Sequence, residues 1–95
     1  MPSETTERSY GAYFYALSLP ERMAAIRFIE EMTRRYPEIG AKATAGPGNE
    51  DSVYIRAPLP VDDDANIEFH ETMAEVSVDI LLDIGVSMVL MHSLE

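Results

Sequence analysis

The chain has no cysteine and no tryptophan, and its seven lysines and arginines face seventeen acidic residues. Each shortage closes off a class of function. Without cysteine there is no disulfide, no thiolate nucleophile and no cysteine-held zinc or iron–sulfur centre. A formal net charge of −10 argues against a sequence-independent grip on nucleic acid or on anionic lipid, since both need clustered Lys and Arg. No stretch approaches the roughly 18 apolar residues of a membrane span, and Met1 to Ser9 contains no apolar signal core, so a cytoplasmic location is expected. Phosphate-binding glycine loops, dinucleotide fingerprints and paired histidines at metal-binding helical spacing are missing too, and no cofactor is expected.

What remains is 95 residues with 46% hydrophobic and 25% charged side chains, enough for one domain with a modest core. Polar Met1 to Ser9 reads as a mobile tail, and residues 10–93 read as the domain. Leu94-Glu95 matches a common cloning junction before a purification tag and is given no function.

The stretch from Asp62 to Met91 is the most informative. On a helix of 100° per residue, Glu68, Glu71, Thr72, Glu75, Asp79 and Asp83 share one arc. Ile67, Phe69, Met73, Val76, Ile80, Leu81 and Ile84 occupy a wider arc that is expected to be buried. Asp62 to Asp64 supply an N-cap and favourable charge at the helix start, and Gly85 suits a left-handed C-cap. The competing reading of this stretch is a strand over residues 76–82, with Val76, Val78, Ile80 and Leu82 inward.

Earlier in the chain, the aromatic-rich run Ala12 to Leu17 predicts a first strand. Ser18-Leu19-Pro20-Glu21 is a capping box, opening a helix that Pro37 stops; its apolar stripe is Leu19, Ala25, Ile26, Ile29, Met32 and Tyr36. Ala41 to Ala45 and Ser52 to Ala57 flank a dense turn signal at 46–51 and predict a hairpin, and Val86 to Met91 predicts a fourth strand. The order strand, helix, strand, strand, helix, strand is that of the α+β ferredoxin-like split βαβ sandwich (β-α-β-β-α-β): a four-stranded antiparallel sheet with two helices on one face.

In that architecture strand alternation sends Tyr13, Tyr15, Tyr54, Arg56, Val89 and Met91 to the open sheet face, a composition too apolar for a solvated surface. The opposite phase would put the first strand's tyrosines under the helices. Aromatics on such a sheet also suit stacked RNA bases, but the basic surround of an RNA-recognition fold is absent. Self-association satisfies the same patch, so the expectation is a homodimer: a small acidic interaction or assembly domain. The alternatives are a regulatory domain binding a metabolite at a dimer interface, and a small enzyme using His70; a non-enzyme is preferred. Glu68, Glu71, Glu75, Asp79 and Asp83 form an acidic stripe. Arg22, Arg27, Arg34 and Arg35 are candidates to offset it, and a basic protein partner would read whatever they leave. Asp62 to Asp64 lack the interleaved spacing of a calcium loop and are assigned to capping, and no metal site is expected.

Overall fold

The computed structural model describes residues 10–49 and 52–93. The expected tail Met1 to Ser9, the turn residues Glu50 and Asp51, and Leu94-Glu95 lie outside them. In chain order there is a 3-10 turn at Phe14–Ala16, then α1 (Leu19–Arg35), the short α2 (Pro37–Gly40), β1 (Thr44–Pro47), β2 (Ser52–Ala57), α3 (Asp63–Ile84) and β3 (Ser87–His92).

The ferredoxin-like expectation is overturned. The fold is α+β, but its sheet has three strands in the order β1-β2-β3 and is mixed: β1 and β2 form an antiparallel hairpin, while β2 and β3 run parallel through α3. The missing strand is the first. Alternation along Ala12 to Leu17 would bury Phe14 and Ala16, whereas the buried pair is Phe14 and Leu17, with Tyr13, Tyr15 and Ala16 exposed. A three-residue repeat belongs to a 3-10 turn. The capping box at Ser18 ends the run after Leu17, and β3 takes the place beside β2 that the first strand was expected to fill.

Both long helices form where their end signals place them. Ser18 caps α1 with a complete capping box, its hydroxyl accepting from the Glu21 N–H at 3.3 Å while the Glu21 carboxylate accepts from the Ser18 N–H at 2.9 Å. Asp62 accepts from the Ala65 N–H at 3.0 Å, and α3 ends on Gly85 at φ 86°, a left-handed conformation that glycine adopts without a steric penalty. A strand over 76–82 is excluded because those residues are helical.

The core lies between one sheet face and the two helices. Val53, Ile55 and Ala57 of β2 point into it, against Ala25, Phe28, Ile29 and Met32 of α1 and Phe69, Met73, Val76 and Ile80 of α3. The Tyr36 and Phe69 rings meet edge-on at 4.8 Å, tying the end of α1 to the start of α3. The buried stripe of α3 is narrower than expected: Ile67 and Leu81, read as core, are exposed, as are Val78 and Leu82. In α1 the correction runs the other way, since Leu19 is exposed and Phe28, absent from the expected stripe, is buried.

Candidate functional site

The sheet face away from the helices carries most of the residues singled out from sequence. Because Val53, Ile55 and Ala57 face the core, Tyr54 and Arg56 face out. Register sets Tyr54 between Gly46 of β1 and Val89 of β3, and Arg56 between Thr44 and Met91. Tyr54, Arg56, Val89 and Met91 therefore stand together on one surface.

The two tyrosines of the N-terminal run part company. Tyr13 stands beside Gly46 and helps line a cleft of about 500 Å³ with Gly11, Thr44, Tyr54 and Arg56. Tyr15 turns away from that cleft: its ring packs edge-on against Phe14 at 5.1 Å, and the Arg22 guanidinium of α1 lies 5.6 Å from its centre. The loss of the first strand explains the separation, since a 3-10 turn does not return alternate side chains to one face.

Two backbone features shape the cleft. The Tyr10 carbonyl accepts from the Ala45 N–H at 2.8 Å, laying the N-terminal run along β1 as a strap. Gly11 sits at φ 106° against Thr44, where a Cβ would lie 2.8 Å from the threonine Cβ, so only glycine fits without displacement. A Cβ at Gly48 would likewise lie 2.8 Å from the Tyr54 ring. Gly48, read from sequence as part of a turn, thus also leaves space for the Tyr54 ring, a pairing visible in sequence only once the hairpin register is known.

The acidic stripe is solvent-facing. Asp83 pairs with Arg27 at 2.9 Å, whereas Arg34 and Arg35 turn to Glu31 within their own helix. Among the described residues no ion pair reaches Glu68, Glu71, Glu75 or Asp79. The helix-to-helix compensation expected for this row is therefore limited to one pair.

His70 meets Phe69 edge-on at 5.8 Å and joins Ser77, Met73 and Ala74 around a cavity of about 170 Å³ closed by Phe28, Met88 and Leu90. No carboxylate lines this cavity to orient the imidazole, and among the described residues no His/Asp/Glu group has the arrangement of a metal site. His92 accepts at Nδ1 from the Leu59 N–H at 3.2 Å and so ties down the loop after β2.

A further surface went unread in the sequence. On α3, Ile67, Ala74, Val78 and Leu81 fall within one arc of about 60°, distinct from both the core stripe and the acidic one, and all four are exposed. This arc flanks β3, because Ala74 and Ser77 share the small cavity with Met88 and Leu90, while the acidic flank faces α1 through Asp83. The signal was available: Val78 lies outside the arc read as buried. No family model matches the chain, and neither a curated protein nor a solved structure matches it.

Proposed function

We propose that this chain is a small assembly domain that acts by self-association rather than by catalysis. The observation that carries the reading is the exposed apolar row on α3, with Val78 at 53% and Leu81 at 45% exposure, running beside the strand edge of β3. Large apolar side chains gathered on one flank favour a covering surface, because exposed apolar area carries an unfavourable hydration free energy. Size-exclusion chromatography with light scattering tests it: a dimer mass is expected, and a monomer mass at the highest attainable concentration overturns it.

A second reading rests on the cleft at Tyr13, Tyr54 and Arg56. It would suit a small metabolite carrying a flat group and a carboxylate or phosphate, with the rings as a stacking surface and the guanidinium as the anion contact. Val89 and Met91 extend the same face. A thermal-shift screen of amino acids and nucleotides tests this reading, and a shift that persists in Arg56→Gln places the ligand elsewhere. The uncompensated part of the acidic row, Glu68, Glu71, Glu75 and Asp79, is the surface a basic protein partner would use. Such binding would weaken steeply with salt.

A further inference from the structure

We infer that two copies of this chain join edge to edge, β3 against β3 in antiparallel register about Leu90, with their α3 helices packing across the same two-fold axis. The inference rests on the self-association proposed above and specifies its geometry.

The first ground is the state of the β3 edge. Exposed strand edges are normally blunted by lysine, proline, a bulge or a covering segment. Ser87-Met88-Val89-Leu90-Met91-His92 contains neither proline nor lysine, and among the described residues no backbone hydrogen bond reaches its outer side. The orientation of that edge follows from one bond: the Ser93 N–H donates to the Ala57 carbonyl at 2.9 Å, toward β2. Alternation then turns the N–H and C=O groups of Met88, Leu90 and His92 outward. A two-fold axis at Leu90 sets Leu90 opposite its own copy and Met88 opposite His92. Every outward group then faces a partner in the antiparallel pattern, and both sets of helices remain on the same side of the joined sheet.

The second ground is the helix. Ala74 and Ser77 border the cavity that Met88 and Leu90 also line, so an axis through Leu90 passes close to Ala74, the smallest side chain in the exposed row. About that point antiparallel helices bring Ile67 of one copy to Leu81 of the other and set Glu71 opposite Ser77 rather than a second Glu71. The remaining carboxylates lie on the far flank of α3, so the self-repulsion of two chains of net charge −10 is kept out of the contact.

The third ground is size. A strand about 20 Å long under a helix segment of similar length, across two layers, buries about 1,000 Å² in total, the lower bound for a specific interface.

Three measurements on the full chain test the inference. Val78→Lys/Leu81→Lys should raise the dimer dissociation constant by about tenfold or more with the circular dichroism spectrum kept, since both side chains are exposed in the monomer. Because the chain has no cysteine, Leu90→Cys carries a single thiol. It should form a disulfide-linked dimer on mild oxidation, as directly opposed Cα atoms in such a pair lie about 5.5 Å apart, within disulfide reach. Tyr54→Ser should leave dimerisation unchanged. A wild-type dimer that survives the lysine pair, forms no Leu90→Cys cross-link and dissociates in Tyr54→Ser overturns this geometry but leaves self-association standing. A wild-type monomer overturns both.

Discussion

The two edges of the sheet are built by opposite rules. The β1 edge belongs to a strand of four residues that ends in Pro47, and the N-terminal strap lies along it, hydrogen-bonded at Tyr10 and anchored by Phe14 and Leu17 in the core. The β3 edge belongs to a longer, proline-free strand, among the described residues no backbone hydrogen bond reaches its outer side, and Ala74 of the exposed α3 row lies beside its Met88 and Leu90. One edge is closed within the chain. The other is open among the described residues, and the proposed self-association would use it.

The largest test of the contrast is to unseat the strap. Phe14→Ala should cost about 3–5 kcal/mol in urea denaturation, because Phe14 is 5% exposed and packs on Tyr10 at 5.0 Å, whereas Val78→Ala on the open flank should stay within about 0.5 kcal/mol for the monomer. Equal losses at the two sites would erase the distinction. A middle-sized effect is expected at Gly11→Ala, about 1–3 kcal/mol, from backbone strain and the collision with Thr44; it should also reshape the Tyr13 cleft, and an unchanged midpoint would mean the strap adapts freely. The smallest effect is at the closed side of α3. Arg27→Met should cost about 0.2–1 kcal/mol and less in high salt, since the Arg27–Asp83 pair is solvent-exposed. A larger loss would make that flank part of what fixes the helix.

Helix positions were legible because their signals are local: the Ser18 box, the Asp62 cap and Gly85 each act within a turn. The hairpin was legible from its glycine-rich turn, although the register shifted β1 to Thr44–Pro47. The sheet's third neighbour was not legible, because whether Ala12 to Leu17 forms a strand depends on a partner elsewhere in the chain. Aromatic content suggested a strand, and the spacing of Phe14 and Leu17 pointed to the turn that forms. The same non-local choice decides the candidate surfaces. Losing one strand separates Tyr15 from Tyr13 and puts β3 directly beside β2, while Leu81 and Ile67 are exposed because they lie more than about 100° around α3 from the centre of its buried stripe.

The parallel pairing of β2 with β3 also has a consequence in time. The β1–β2 hairpin closes over a few residues and zips within microseconds, but β3 meets β2 only after residues 58–86 have crossed through α3. At a synthesis rate of about 5–20 residues per second, β2 waits about 2–7 s longer for its parallel neighbour to be made. During that interval β2 itself has an open side, and the β3 of another chain fits it as well as its own does. Pulsed hydrogen exchange during refolding should show hairpin amides protected before those of the parallel ladder. Slow folding at high concentration should then enrich dimers that have exchanged β3, recognisable because they dissociate only on unfolding.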